Sequence, residues 1–331
     1  MTEQALVERG LLQGLKPGAA KARARASIAW FAGRSAPPRG MVLSQATLPP
    51  FDAVEDPDGS VRFAVRLADG NVVECVLIYH PRRWTVCVSS QAGCARGCVF
   101  CETGRLGLKR NLTAAEIVAQ YAIAARHLGA RPRNLVFMGM GEPLDNLEEV
   151  LKAIAVLREQ AGFAVPERHI TVSTVGIVPK MDELYARTKA QIAVSLHAIG
   201  EPQRRALLPV ARKWKLSELR EAIAKAPRTV LLQWTLIEGV NDADSDADEL
   251  AEFARDLDVR VNLIPLNPGP VKTQRAPSME RCRAFQKRLA DRGVRTLLRM
   301  PHGQRIGGAC GQLAGSRRFA AAQADNPRRG V

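Results

Sequence analysis

Three cysteines in one short run are the residues of this sequence with the most recognisable chemistry. Cys94, Cys98 and Cys101 follow a C-x3-C-x2-C pattern, and thiolates are soft ligands suited to zinc or to an iron–sulfur cluster. Structural zinc sites bring four protein ligands, whereas this run supplies three. Three thiolates on a four-iron cluster leave one iron open to a substrate, as catalytic metals keep an open position. The run therefore predicts one catalytic [4Fe-4S] cluster, and the alternative is a set of buried structural thiols.

The remaining cysteines are Cys75, Cys87, Cys282 and Cys310, so the sequence holds seven in all. That number is odd, and the N-terminus shows no apolar signal core. Both features argue against a secreted disulfide framework and for metal or redox chemistry. Cys75 and Cys282 match no motif, and we expect them to be structural.

The segments that must position these cysteines alternate between strand-like and helical patterns. Strands are expected at 84–89, 134–138, 169–174, 190–196, 230–237, 260–265 and 296–300. Helices are expected at 113–127, 147–160, 179–188, 216–226, 246–256 and 279–292. This alternation predicts an α/β fold with a parallel sheet, in the form of a partial (β/α)6 TIM-like barrel. The cysteine run follows the first of these strands, at the C-terminal strand ends where such barrels carry their sites.

The flanks divide the 331 residues into a core and smaller parts. Residues 1–45 are basic and Ala-rich, and form a short accessory segment with a helix expected at 24–32. Residues 46–80 are predicted to be a β-hairpin extension, with strands around the turn Asp69-Gly70-Asn71. Residues 81–314 would form the core barrel with a C-terminal loop that carries Cys310, and 315–331 a basic tail.

The charge balance favours a polyanionic partner. Lys and Arg number 48 against 33 Asp and Glu, a formal charge of +15, and nucleic acid is the obvious candidate. A proteome rich in arginine would explain the same excess without any such partner. Because no apolar run is long enough for a membrane helix, we expect a soluble cytoplasmic protein that does not bind a membrane.

Five ordered motifs between residues 60 and 316 resemble one enzyme family. They read VCVSSQAGC at 86–94, MGMGEPL at 138–144, SLHA at 195–198, NLIPLNP at 262–268 and ACGQLAG at 309–315. This pattern resembles the RlmN/Cfr family of radical S-adenosylmethionine (SAM) RNA adenine methyltransferases. The resemblance implies a barrel of the radical-SAM type whose open iron chelates the amino and carboxylate groups of SAM.

The resemblance also implies which other residues contact SAM. Gly141 and Glu142 match a strand end that receives the SAM amino group. The full set of matching positions is Gly141, Glu142, Ser173, Ser195, Leu196, His197 and Asn267. From the residues alone, the Gly-Glu-Pro stretch could be an ordinary turn, and a lone histidine is more often structural.

Three further matches concern catalysis. The resemblance makes Cys310 the methyl-carrying cysteine, Cys87 the cysteine that resolves the intermediate, and Glu74 the proton acceptor. The match of Glu74 depends on its position 13 residues before Cys87. Without the resemblance, Cys87 would be interpreted as a buried thiol of the core. The family route uses two SAM molecules per turnover and leaves a transient Cys87–Cys310 disulfide.

The expected substrate is an adenine in RNA. The resemblance implies methylation of its C2 carbon, in preference to C8, in 23S ribosomal RNA, with transfer RNA as a second substrate. A reducing protein such as flavodoxin or ferredoxin would supply electrons, and a monomer is expected. The alternatives are a radical-SAM enzyme acting on another RNA position or on a non-RNA substrate, and a non-enzymatic RNA-binding protein that carries zinc or a cluster.

Two features depart from the family pattern. Residues 302–308 read HGQRIGG, where family members usually carry an acidic RGxDI-like run. The region before Glu74 is also short. Both departures bear on substrate choice, and neither removes a cluster ligand or one of the two catalytic cysteines.

Overall fold

A computed structural model describes residues 3–12, 15–32 and 48–314. The predicted basic tail at 315–331 lies outside these ranges, as do residues 33–47, which include the end of the predicted accessory segment and the start of the predicted hairpin extension.

The secondary structure of the described ranges follows the expected alternation. Its strands are β1 Phe51–Glu55, β2 Val61–Arg66, β3 Val72–His80, β4 Arg83–Cys87, β5 Gln91–Cys94, β6 Gly107–Asn111, β7 Asn134–Phe137, β8 Ile170–Thr174, β9 Gln191–Ser195, β10 Val230–Leu236, β11 Val259–Pro265 and β12 Thr296–Leu298. Its helices are α1 Glu3–Leu12, α2 Pro17–Phe31, α3 Glu102–Arg105, α4 Ala114–Leu128, α5 Leu147–Arg158, α6 Val178–Arg187, α7 Glu201–Leu207, α8 Leu216–Ala224, α9 Asp244–Ala254 and α10 Met279–Asp291.

One large sheet forms the centre of the fold. Its ten strands lie in the order β1-β2-β3-β4-β7-β8-β9-β10-β11-β12. The strands from β1 to β4 pair antiparallel, and those from β4 to β12 pair parallel. Neighbouring strands are consecutive within this sheet, as a barrel wound in one direction requires. Side chains from β4, β7, β10 and β12 line one cavity, so the sheet curls around it. The predicted partial barrel is confirmed.

Local sequence determines where helix α4 begins. Thr113 accepts a hydrogen bond from the Glu116 backbone N–H at 3.3 Å, and the Glu116 carboxylate accepts one from the Thr113 backbone N–H at 2.9 Å. These two hydrogen bonds form a capping box, which stabilises the helix by about 1 kcal/mol. The helix buries Ile117 and Tyr121 against the sheet, and the Tyr121 hydroxyl donates to the Pro132 carbonyl oxygen at 2.7 Å.

The N-terminal part of the sheet is larger than the predicted hairpin. Strand β1 pairs with β2, and β3 pairs with β4 with Val76 opposite Cys87. The hairpin therefore continues into the barrel sheet as a meander. The five-residue β1 follows two prolines, and its local pattern was too short to predict.

Several other elements differ from the expectation. Strands β5 and β6 form a two-stranded sheet around the cysteine run, where the sequence predicted only a loop. Helix α2 extends from Pro17 to Phe31, beyond the predicted 24–32, because alanine with interspersed Lys and Arg favours helix throughout. Helix α7 was not predicted.

Among the described residues, none of the helices combines the length and apolar character that a membrane crossing requires.

Candidate active site

A cavity at the C-terminal strand ends brings the cysteine run together with most of the predicted SAM contacts. We call it the cluster cavity. Its lining includes Cys94, Cys98, Cys101, Gly141, Glu142, Ser173, Ser195, His197, Gln233 and Cys310. These residues come from β5 and the segment after it, from the loop after β7, from the C-terminal ends of β8 and β9 and the loop after β9, from β10 and from the C-terminal loop. The barrel topology thus gathers side chains that are far apart in sequence.

The cysteine run depends on a tight backbone. Cys94 ends β5, which pairs with β6 through a bulge at Ala92 and Gly93. Gly93 has φ +79°, and a Cβ atom there would lie 1.9 Å from the Gly107 carbonyl oxygen. Only glycine fits this position, and the bulge turns the chain so that the run faces the cavity. The Arg96 backbone N–H then donates to the Cys94 sulfur at 3.4 Å.

The three thiols fit a cluster better than a single ion. Within the described ranges, no group of three or more His, Cys, Asp or Glu side chains is arranged to hold one metal ion. A four-iron cluster places each thiolate on a different iron, so the sulfurs line a cavity without converging on one point. Burial raises the pKa of Cys94 to about 12 and also raises those of Cys98 and Cys101. Cluster binding would therefore release protons.

Glu142 is a buried carboxyl group at the cavity wall. Its two oxygens accept hydrogen bonds from the backbone N–H groups of Leu144 at 3.0 Å and Val175 at 2.9 Å. Burial raises its pKa to about 7, against the lowering effect of those hydrogen bonds. The Gln91 side-chain oxygen accepts from the Glu142 backbone N–H at 2.8 Å. A cationic amino group placed here would favour the ionised carboxylate.

His197 sits where β9 ends and has φ +60°. Its Nδ1 accepts a hydrogen bond from the Thr235 backbone N–H at 2.9 Å, and its ring lies 4.8 Å from that of Phe100. Burial, and then the charge of Arg204, lower its pKa to about 3. The imidazole is therefore neutral at physiological pH.

Asn241 holds this histidine in place and was missed by sequence reasoning. Its Nδ2 donates to the His197 carbonyl oxygen at 2.8 Å and to the Thr235 carbonyl oxygen at 2.7 Å. In sequence it follows Gly239 and Val240, and such a pattern suggests an ordinary turn. No local feature of the sequence distinguishes Asn241 from a residue in an ordinary turn.

Two predicted SAM contacts lie away from the cluster cavity. Leu196 is fully buried, and its backbone N–H donates to the Gln233 carbonyl oxygen at 3.0 Å. Asn267 lines a second cavity; its Nδ2 donates to the Cys310 carbonyl oxygen at 3.1 Å and its oxygen accepts from Gln304 at 3.1 Å. Asn267 thus orients the loop of Cys310, and its contact with SAM stays a prediction.

The second cavity occupies the inside of the barrel, and we call it the interior cavity. It has a volume of about 540 Å³, and Cys87, Met138, Gln233, Ile264 and Cys310 lie in its wall. All of these except Cys87 also line the cluster cavity. Its basic lining residues are His80, Arg83, Arg168, His169, Arg299 and His302.

Cys310 faces both cavities. The residue is accessible, yet the surrounding protein raises the pKa of its thiol by desolvation, which the charge of Arg299 opposes. Burial and then the charge of Cys310 raise the pKa of Cys87, so the two thiols are electrostatic neighbours. Both are free thiols in this structure. The structure therefore brings together the two cysteines that the sequence singled out.

Glu74 lies beneath the loop of Cys310. It forms a fully buried ion pair with Arg62, with 3.4 Å between Arg62 Nη1 and Glu74 Oε1. Arg62 Nη1 also donates to the Gly307 carbonyl oxygen at 3.4 Å, and Glu74 Oε2 accepts from the Ala314 backbone N–H at 2.9 Å. The pair thus holds the loop on both sides of Cys310. Arg62 was not predicted, and proton acceptance by Glu74 stays a prediction.

Acidic groups reach residues 302–308 from outside that segment. Asp58 accepts a hydrogen bond from the Gly303 backbone N–H at 2.8 Å. Asp56 accepts from the backbone N–H groups of Arg305 at 3.1 Å and Ile306 at 3.4 Å. Both aspartates lie in the turn between β1 and β2. The turn compensates for the missing acidic side chains of the segment, which the sequence pattern did not reveal.

Comparison with known proteins agrees with this geometry. Residues 88–254 match the Radical SAM superfamily. A probable RNA methyltransferase, sce1580, from Sorangium cellulosum (strain So ce56) is 51% identical over 269 residues, which cover 79% of this chain and 68% of that protein. A dual-specificity RNA methyltransferase RlmN from Syntrophobacter fumaroxidans is 45% identical over 262 residues, which cover 77% of each chain.

A solved structure extends the likeness over nearly the whole chain. The crystal structure of a radical SAM methyltransferase from Sphaerobacter thermophilus has a TM-score of 0.88 at 38% identity, and the match covers 96% of this chain and 98% of that one. With the family match and the identity to RlmN proteins, this shows that the chain belongs to the radical SAM superfamily and, within it, to the RlmN/Cfr family of methyltransferases.

Proposed function

We propose that this protein methylates an aromatic carbon of an adenine in RNA, C2 in preference to C8, through a methyl group carried by Cys310. Family membership makes the chain a SAM-dependent RNA methyltransferase that uses a [4Fe-4S] cluster. The proposed transfer of the methyl group through Cys310 is supported by the position of that residue, which lies in the wall of both the cluster cavity and the interior cavity.

The cluster cavity is suited to the cluster and to SAM. Cys94, Cys98 and Cys101 would bind three irons, and the SAM amino group would lie near Glu142 and Gly141. When bound, the reduced cluster would supply the electron that cleaves SAM to a 5′-deoxyadenosyl radical. The neutral His197 and the apolar ring of Phe100 close one side of this cavity and limit the access of water to it.

Three residues of the chain would carry out the methyl transfer. The Cys310 thiolate accepts the methyl group of a first SAM, and its S-methyl group loses a hydrogen atom to the radical from a second SAM. The resulting methylene group would bond to the adenine carbon, and the adduct would return one electron to the cluster held by Cys94, Cys98 and Cys101, which had given one electron to SAM. Glu74 would remove the ring proton. The Cys87 thiolate then attacks the Cys310 sulfur, which releases the product and leaves a Cys87–Cys310 disulfide.

The role of Glu74 requires a change from the structure described above. Its carboxylate is buried, pairs with Arg62 and accepts a hydrogen bond from Ala314. It lies on the face of β3 that carries Val76, the register partner of Cys87. The contacts of Glu74 with Arg62 and Ala314 hold the loop around Cys310. Glu74 would therefore reach the base only when that loop shifts.

The substrate would reach Cys310 through the interior cavity. A target adenine must leave its stack to enter such a space, and the basic lining residues would bind the neighbouring phosphates. We propose 23S ribosomal RNA as the main substrate and transfer RNA as a second one. We propose that the protein is cytoplasmic, because its RNA substrate is cytoplasmic. We also propose that it is a monomer and that a flavodoxin or ferredoxin reduces it.

Mass-spectrometric mapping of methyladenosines tests this function. Ribosomal and transfer RNA from cells with and without the gene would be compared, with a Cys310→Ala variant as the matched control. The proposal predicts a carbon-methylated adenosine that requires the gene and disappears in the variant. RNA with identical methyladenosines in all three strains would contradict it.

A further inference from the structure

Two amide side chains lie side by side on the inner face of the barrel. Gln233 of β10 and Asn262 of β11 are register partners in parallel strands, so their side chains point to the same face of the sheet. Leu231 and Gln233 line the interior cavity from β10, and Ile264 does so from β11. Side chains two residues apart share a face, which places Asn262 on that same inner face.

Neither amide is satisfied by the protein. Gln233 is 6% exposed and Asn262 is fully buried. Among the described residues, the Nε2 atom of Gln233 and both the Nδ2 and Oδ1 atoms of Asn262 have no hydrogen-bond partner. Buried polar groups are almost always paired, because desolvation without a partner is costly. Two adjacent amides that break this rule indicate a site for a ligand with its own donors and acceptors.

Gln233 lies where the two cavities meet, and Asn262 lies beside it on the next strand. Gln233, Ile264 and Cys310 line both cavities. Asn262 precedes Ile264 on the inner face of β11 and is therefore farther from the cluster cavity. Gln233 is also the register partner of Ser195 on β9, so the pair lies level with one predicted SAM contact, and Asn262 is one strand farther from it.

We propose that Gln233 and Asn262 recognise the target adenine by hydrogen bonds to its amino and ring-nitrogen edge. This inference rests on the proposed function and adds to it the residues that select the base. A side-chain amide offers one donor and one acceptor, which match the N6 amine and N7 of adenine. The C2 carbon lies across the ring from N7, so a base held in this way keeps C2 free to face Cys310.

The test uses two RNA substrates and the full-length, anaerobically reconstituted enzyme. One RNA carries the target adenosine, and the other carries purine ribonucleoside at that position, which lacks the N6 amine. The variants Gln233→Met and Asn262→Leu replace each amide with an apolar side chain of similar size. Leu232→Met is the matched control, because Leu232 is buried on the same strand but faces away from the cavity.

The inference predicts that wild-type enzyme prefers adenine over purine by roughly 5- to 150-fold in kcat/KM. The ratio of kcat/KM for the adenine RNA to kcat/KM for the purine RNA would fall toward one in Gln233→Met and in Asn262→Leu, and would be retained in Leu232→Met. Methylation of Cys310 by SAM, read by intact-protein mass spectrometry, would occur in all four proteins. The melting temperature of the two amide variants would equal or exceed that of wild type, because an unpaired buried amide is removed.

Three results would overturn the inference. A wild-type preference that persists in both amide variants shows that the amides do not read the base. Lower melting temperatures with an unchanged preference assign them a structural role, and failure of Cys310 methylation in both variants assigns them to SAM. If wild-type enzyme methylates neither RNA, the proposed function fails and the inference fails with it, a result distinct from the other three.

Discussion

The Glu102 backbone N–H donates a 2.8 Å hydrogen bond to the Gly311 carbonyl oxygen, joining the residue after the last cluster cysteine to the residue after Cys310. Next to it, the Thr103 hydroxyl donates to the Leu313 carbonyl oxygen at 2.6 Å. The loop that would hold the cluster and the loop that would carry the methyl group are thus fastened to each other. A radical formed at the cluster would meet an S-methyl group at a fixed distance.

Removal of the Thr103 hydroxyl should loosen this connection. Thr103→Val leaves the Leu313 carbonyl oxygen without its buried donor, which we expect to lower the free energy of unfolding by about 1–3 kcal/mol. Less methylated RNA should form per SAM cleaved, because Cys310 is held less firmly. Denaturant unfolding and the ratio of methylated RNA to 5′-deoxyadenosine measure both effects. The exposed Thr273 gives a control in Thr273→Val, and an unchanged ratio in Thr103→Val would contradict the coupling.

Asp56 should protect the segment before Cys310 from cleavage. Asp56→Ala removes the acceptor of the Arg305 and Ile306 backbone N–H groups. Loss of two hydrogen bonds of about 1 kcal/mol each should raise the rate of tryptic cleavage after Arg305 roughly tenfold or more. Limited proteolysis read by mass spectrometry measures this rate. The control is Asp52→Ala, since Asp52 pairs with Arg66 at the surface, and equal rates in the two variants would refute the role of Asp56.

His197 should make the protein less stable in acid. Its folded-state pKa is lowered to about 3, whereas an unfolded histidine titrates near 6.5. Between these values only the unfolded state binds the proton, so the free energy of unfolding falls as the pH drops below about 6.5. The slope from this residue is at most about 1.4 kcal/mol per pH unit. Unfolding at pH 7 and pH 5 should show a smaller difference in His197→Gln than in wild type, and an equal difference would show that His197 contributes nothing.

Cys87→Ala should trap the RNA on the protein. Without the Cys87 thiol, nothing attacks the Cys310 sulfur, and the adenine stays bonded to it through the transferred carbon. Product should remain below one equivalent per enzyme molecule, with a covalent RNA–protein adduct visible on a denaturing gel. Cys282→Ala changes a buried cysteine outside both cavities and serves as the control. Several turnovers without adduct in Cys87→Ala would remove Cys87 from the mechanism.

The barrel and the cysteines were predictable because their signals are local. Residues 135–138 of the β7 region form a continuous apolar run, LVFM, and Cys94, Cys98 and Cys101 lie within eight consecutive residues. The supports of the site were not predictable from the same patterns. Arg62, Asp56 and Asn241 act through backbone groups that are distant in sequence, and only the folded chain brings them together. Strand β5 escaped prediction because its bulge at Gly93 leaves no alternation of apolar residues.

Cys310 should carry the methyl group from SAM to RNA, and isotopically labelled SAM can follow that transfer. Enzyme reconstituted under anaerobic conditions would be given SAM with a deuterated methyl group, a reductant and RNA, and both protein and RNA would be analysed by mass spectrometry. We expect label first on Cys310 and then on an adenine carbon, with no labelled RNA from Cys310→Ala although SAM is still cleaved to 5′-deoxyadenosine. Labelled adenine from Cys310→Ala, or wild-type RNA labelled without label on Cys310, would contradict it.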